Sequence, residues 1–168
     1  MQTSPIRAVA FDLGHTLIDE RLELGVRLMP GVEQVLPQLT LPMAVWANTR
    51  ELNADGVANI LERAGIRDFF SAIATSVDAK HRKPSTEFFQ YALALWNYSA
   101  GETLFVCNQL NTDVGGANLC GICTAWLSSN QYHSADETLS LYDVQPTFVI
   151  PTIADLPELL AGNQPTAK

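Results

Sequence analysis

Short apolar runs punctuate the chain at intervals that leave room for a helix between most pairs. Ile6 to Phe11, Pro42 to Ala47, Ser71 to Thr75, Thr103 to Cys107, Ile122 to Leu127 and Thr147 to Ile150 read as strands. Strands alternating with helical patterns predict an α/β fold with a mostly parallel sheet. The intervening segments change period. Gly31 to Leu39 predicts a short helix whose last turn Pro37 disturbs. Leu52 to Ala64 places Val57, Ile60, Leu61 and Ala64 on one face, with Gly65 as a stop. After Lys83, Pro84 suits a first helical turn, and Phe88, Tyr91, Ala92, Leu95 and Trp96 form an apolar stripe.

Asp113 to Leu119 predicts a short helix rich in small residues, able to lie close to the sheet before Gly121 ends it. Ser128 to Gln145 has no clear period and reads as an irregular excursion over an edge. The residues after Leu160 read as a frayed tail. The whole, 1–168, is expected to form one domain with its core between about 6 and 160.

Composition narrows the functional classes. At 47% hydrophobic and 17% charged residues, a packed globular core is expected. The net charge of −8 repels polyanions, so neither nucleic acid nor an anionic membrane is an expected partner. No apolar run approaches the length of about 18 residues that a membrane span needs, and the first residues lack a secretory pattern. The three cysteines, Cys107, Cys120 and Cys123, suggest no disulfide framework, and together these features predict a cytoplasmic protein. Cys120 and Cys123 have CxxC spacing without a second pair, so packing is preferred over zinc or redox work.

In open parallel sheets, ligands bind beyond the carboxyl ends of the strands. The residues there are Asp12, Asn48, Asn108 and Asp113, with Lys83 before a helix. Phe11-Asp12-Leu13-Gly14-His15-Thr16-Leu17 after an apolar strand resembles the opening motif of the haloacid dehalogenase superfamily. Val45-Trp46-Ala47-Asn48, then Lys83-Pro84, then Leu104 to Asn108 with Asp113 and Gly116-Ala117 follow in that family's order. The resemblance spans Ile6 to Trp126 and implies a three-layer Rossmann-like sheet with helices on both faces. The intervals 17–45 and 49–83 are too short for a cap domain, so an open site is expected, one that a homo-oligomer could cover.

The resemblance also implies roles. Asp12 matches the nucleophile that accepts a phosphoryl group, and Lys83 matches the lysine paired with it. Asp12, the Gly14 carbonyl, Asn108 and Asp113 match the Mg²⁺ site, weakened because Asn108 replaces an aspartate. Asp113 reads equally as a helix N-terminal acid. Asn48 matches a substrate-side residue; Ala47 lacks the usual hydroxyl, which Thr49 and Arg50 are candidates to replace at the phosphate. Gly14 stands where many phosphatases of the family carry a second aspartate that protonates the leaving alcohol. His15 replaces a usual glycine and is either a substitute acid or a structural loop residue.

The expected activity is therefore a Mg²⁺-dependent phosphohydrolase or phosphotransferase, weak or restricted to good leaving groups. Its partner would be a phosphorylated small molecule or macromolecule. The alternatives are a catalytically silent binding or scaffold protein and, third, a metal-independent 2-haloacid dehalogenase.

Overall fold

In the computed structural model, residues 5–19, 25–129 and 144–163 are described. Six strands form one sheet: β1 (Ala8–Phe11), β2 (Met43–Ala47), β3 (Phe70–Thr75), β4 (Thr103–Cys107), β5 (Cys123–Leu127) and β6 (Phe148–Ile150). Their order is β3-β2-β1-β4-β5-β6, and every neighbouring pair is parallel. The chain thus builds outward from β1 in one direction and returns to build from β4 in the other. That reversal opens a crevice beyond the ends of β1 and β4, where an α/β sheet receives its ligand. Phe11 stands level with Val45 on β2 and Val106 on β4, so Asp12 and Asn108 emerge close to that crevice.

Burial on both faces explains why these strands read as continuous apolar runs rather than alternating ones. On one face Val9, Phe11, Val45, Leu104 and Val106 join Val57 and Leu61 of α2 (Ala54–Arg63). On the other, the alanines Ala8, Ala10, Ala44 and Ala74 leave room for Trp46, Phe88, Phe89, Trp96 and Phe105. Trp46 meets Phe89 and Trp96 edge-on at 6.1 and 6.3 Å, a geometry that the ring quadrupoles favour. Phe88, Phe89 and Trp96 come from α4 (Thr86–Trp96). Of the stripe predicted after Lys83, Phe88, Ala92 and Trp96 are thus core, Tyr91 is half-buried against it and Leu95 is exposed, while Phe89, outside that stripe, is buried.

The predicted helices occur with shifted ends. Gly31 to Leu39 divides into α1 (Val32–Val35) and a tighter 3-10 turn, Leu36–Gln38, which contains Pro37. Asn53 caps α2 by accepting from the Gly56 amide, and Gly65, at φ 75°, follows its C-terminus. Pro84 precedes α4 instead of opening it, because the Ser85 amide bonds the Arg82 carbonyl and closes a turn around Lys83 and Pro84. The short α3 (Ser76–Ala79) and the terminal α6 (Leu156–Gly162) add to the predicted set. α6 corrects the frayed tail in part: Leu156 and Leu160 bury one turn apart, so order continues to Gly162. Most of the predicted excursion, 130–143, and the last residues, 164–168, lie outside the described residues.

Beyond β4 the backbone forms a wide π-type turn, Leu110–Gly115, before α5 (Gly116–Leu119). Such turns cluster at functional sites, and this one carries Asp113. Gly116 holds it against the Lys83 segment: a Cβ there would lie 2.5 Å from the Phe89 ring and 2.7 Å from the Pro84 carbonyl oxygen. Gly116→Ala is therefore expected to destabilise the protein by about 1–3 kcal/mol. Urea denaturation measures this, and an unchanged midpoint would show that the two segments separate without cost. Among the described residues no cap domain appears between β1 and β2 or between β2 and β3. Nor is any helix among them long and apolar enough to cross a membrane.

Candidate active site

Asp12 leaves β1 with its amide bonded to the Val106 carbonyl at 3.0 Å, which ties the strand end to β4. The chain then folds into a tight turn, with the Leu17 and Ile18 amides donating to the Leu13 carbonyl and the His15 amide to that of Ile18. His15 adopts φ 55°, the left-handed conformation in which glycine is least strained, so a glycine is easily accommodated at this position. Asp12 is 8% exposed, Lys83 4%, Asn108 2% and Asp113 1%. Groups so deeply placed need partners.

The partners are one another. The Lys83 ammonium lies 2.7 Å from Asp12 Oδ1 and 2.8 Å from Asp113 Oδ1, and donates to the Trp46 carbonyl at 3.1 Å. Its position is fixed through its own backbone. Asn48 accepts from the Lys83 amide at 2.9 Å and donates to the Lys83 carbonyl at 3.0 Å. Both ends of the Asn48 amide thus help to hold the lysine. Asn108 accepts a long 3.4 Å hydrogen bond from the Thr16 hydroxyl, while its carbonyl accepts from Trp126.

Charge accounting shows what this arrangement lacks. Asp12 and Asp113 against Lys83 leave a formal −1 in a site almost closed to water. Burial, reinforced by the Asp12 charge, pushes the Asp113 carboxyl up to about 7 despite the pull of Lys83. Burial also works against the Lys83 charge, but Asp113 and Asp12 outweigh it and hold the ammonium above its ordinary pKa. Lys83 therefore remains charged, and Asp113 carries the residual strain.

A hard divalent cation fits this donor set. Asp12, Asp113, the Gly14 carbonyl and the Asn108 amide all supply oxygen. Buried Asp113 Oδ2 and Asn108 Nδ2 have no hydrogen-bond partner among the described residues. Turning the Asn108 amide over would let its nitrogen donate to Thr16 and present its oxygen instead. With asparagine in place of a third carboxylate, no group of three acidic, histidine or cysteine ligands forms among the described residues, so affinity should be modest.

Two adjoining cavities divide the predicted residues. Asp12, Gly14, His15, Asn48, Lys83 and Asp113 line a small one of about 90 Å³, together with Gln109 and Thr112. Thr49 and Arg50 line only a larger one, of about 610 Å³, which shares Asp12, Gly14 and Asn48 with the first. The Thr49 hydroxyl donates to the Leu52 carbonyl, so it holds its own loop. Ser76 was absent from the expected set, yet its hydroxyl bonds both the amide and the carbonyl of Thr49. It follows the end of β3, where the strand-end rule applied to every strand would have found it. Cys107 is buried and Cys120 and Cys123 half-buried, all with free thiols; the Cys120 sulfur contacts the Thr86 carbonyl at 3.8 Å.

Comparison with known proteins agrees with this architecture. Residues 81–156 match a sequence family described as HAD-hydrolase-like. Ribulose-1,5-bisphosphate 5-phosphatase from Halopiger xanaduensis is 27% identical over 160 residues, 94% of this chain and 66% of its own. Pyrimidine 5'-nucleotidase YjjG from Escherichia coli is 28% identical over 104 residues, 61% of this chain and 44% of its own. The chain thus spans between about a third and two thirds of the length of the curated relatives it matches. Among solved structures, an uncharacterized protein from Listeria monocytogenes superposes with a TM-score of 0.77 at 28% identity, covering 93% of this chain and 97% of that one. L-2-haloacid dehalogenase from Xanthobacter autotrophicus gives 0.77 at 18% identity, covering 94% and 99%. HAD-hydrolase YfnB from Bacillus subtilis, bound to magnesium, gives 0.75 at 16%, also covering 94% and 99%. At such identities the last two establish the fold alone.

Proposed function

We propose that the chain, whose residues 81–156 match the HAD-hydrolase-like family, is a member of the haloacid dehalogenase superfamily and a Mg²⁺-dependent phosphohydrolase or phosphotransferase working through an aspartyl-phosphate on Asp12. The observation that carries this reading is the 2.7 Å contact between the Lys83 ammonium and Asp12 Oδ1 at the wall of a small cavity. An Asp12 oxygen attacks phosphorus, and the bond from phosphorus to the leaving group breaks with its electron pair going to that group. Water or another acceptor then attacks the same phosphorus, releasing the carboxylate. Lys83 holds the carboxylate in position and offsets charge on the transferring group. Magnesium, when bound by Asp12, the Gly14 carbonyl, Asn108 and Asp113, supplies further charge neutralisation.

Gly14 sets the range of substrates. With no carboxyl at that position to protonate the departing oxygen, leaving groups that are stable as anions should react and alkoxides should not. Acetyl phosphate and an activated aryl phosphate are expected to turn over with Mg²⁺, with alkyl phosphates far slower. Failure of both activated substrates at high enzyme concentration would overturn the reading. Gly14 is not among the glycines held at positive φ, so an aspartate suits its backbone. Gly14→Asp should accelerate alkyl phosphate hydrolysis by roughly 10²-fold or more. Initial rates on matched alkyl and aryl esters measure this, and a uniform change in both would contradict the assignment.

The second reading, a catalytically silent binding module, draws support from Asn108, whose amide brings no charge to the cation site. A chain that takes up no phosphoryl group from acetyl phosphate yet binds magnesium and phosphate would favour it. The third, dehalogenation, predicts halide release from a short 2-haloacid without metal.

A further inference from the structure

We propose that the larger cavity beside Asp12 is a subsite for a second anionic group, so that the substrate class is a small phosphorylated compound whose leaving group is stable as an anion and which carries a carboxylate or phosphate at its far end. This rests on the phosphohydrolase reading of the adjoining small cavity. A transferring phosphoryl group belongs against Asp12 and Lys83, which leaves about 610 Å³ continuous with it, within the range of small-metabolite sites.

Two guanidinium groups stand on the wall of that space in a chain of net charge −8. Arg50 and Arg82 line it together with the acids Asp12 and Glu51, and Leu52 and Ile60 supply apolar surface between. Asp12, shared by both cavities, is already paired with Lys83. Arg50 makes no ion pair with the described residues, and Arg82 spends one guanidinium nitrogen on the Thr49 carbonyl at 2.6 Å. The remaining donors suit a planar or tetrahedral oxyanion.

The wall is built as one piece with the reaction centre. Asn48 binds Lys83 through both backbone groups, Arg82 binds the next residue, Thr49, and Ser76 bonds Thr49 on its amide and carbonyl. The Thr49 hydroxyl closes the loop onto Leu52 and so fixes the segment bearing Arg50. The same lacing that sets the lysine therefore ties the Arg82 guanidinium and the backbone that bears Arg50 to the strand end beside Asp12. Such preorganisation lets a two-ended ligand bind more tightly than either end alone.

Calorimetry with Mg²⁺ tests this on three unreactive probes of equal chain length: an alkyl monophosphonate, a phosphonocarboxylate and a bisphosphonate. The wild-type protein should bind at least one two-ended probe about 10-fold more tightly than the monophosphonate, with the preference shrinking as salt rises. Which of the two gains more distinguishes a distal carboxylate from a distal phosphate. In Arg50→Gln and in the Arg50→Gln, Arg82→Gln double variant the ratio should fall towards one. Equal affinity for all three probes, absence of binding by any, or a preference that survives the double variant would overturn the subsite. Phosphoryl transfer to Asp12 from acetyl phosphate, which has no second anion, is measured separately. Transfer without the preference removes only the subsite, and the preference without transfer removes only the hydrolase reading.

Discussion

Replacing Asp12 with asparagine is expected to reduce Mg²⁺-dependent turnover of acetyl phosphate on the order of 10⁴-fold or more, to the background rate. A covalent catalyst loses nearly its whole advantage with its nucleophile, because the remaining groups act on a bond that no longer forms. The asparagine is nearly isosteric and keeps an oxygen within reach of Lys83, so the fold should survive. It also leaves Asp113 as the one carboxylate among the described residues that pairs with the ammonium, which removes the surplus negative charge. Thermal stability at neutral pH should therefore be equal to or higher than that of the parent while activity vanishes. Initial rates and melting curves on one preparation separate these effects. Retained turnover would move the nucleophile elsewhere.

The largest expected effect on stability belongs to Lys83→Met. The substitution conserves much of the aliphatic volume and removes the ammonium that, among the described residues, contacts both Asp12 and Asp113. Breaking a buried charge pair in this way costs about 3–5 kcal/mol, since the carboxylates are left uncompensated. The loss should be largest at pH 8 and shrink towards pH 5, where the Asp113 carboxyl takes up a proton. The parent protein has a weaker dependence of the same sign. Asp113 titrates at about 7 in place of its ordinary 3.8, so the folded state binds the extra proton between those values. The corresponding stabilisation is complete below the ordinary value and is lost as pH rises through about 7. Urea denaturation across that window, without added metal, reads both. A pH-independent penalty in Lys83→Met would show that its origin is packing rather than charge.

Much of the site was visible in the sequence, for a definable reason. Asp12 and Asn108 directly follow apolar strands, with Asp113 in the turn after the second, and a strand is the element whose end a linear pattern marks most clearly. Lys83 was found by its resemblance to a family position, since nothing local distinguishes it from Lys80. The role of Asn48 was not legible. Its amide clamps a backbone 35 residues away, and a contact between two loops leaves no trace in the period of either. Thr49 and Arg50 follow β2, whose end at Ala47 the apolar run marks correctly, but a linear pattern does not show that their loop lines the larger cavity.

The terminal helix shows a different kind of miss. Thr152 and Asp155 form a capping box immediately before Leu156, and Leu156 and Leu160 repeat at helical spacing. The local signal was present, but the polar residues beyond it suggested fraying. Pro84 misled in the opposite sense: proline favours a first helical turn, yet the hydrogen bond from Ser85 to Arg82 places it in the preceding turn. In each case a residue preference was correct in kind and displaced by a tertiary constraint.

That Asp12 accepts a phosphoryl group beside Lys83 is tested most directly by incubating the protein with acetyl phosphate and Mg²⁺, quenching in acid and mapping the peptides by mass spectrometry. The predicted result is a phosphoryl adduct on Asp12 that is absent from Asp12→Asn. An unmodified Asp12 under conditions where magnesium is bound, or an adduct on any other residue, would contradict it.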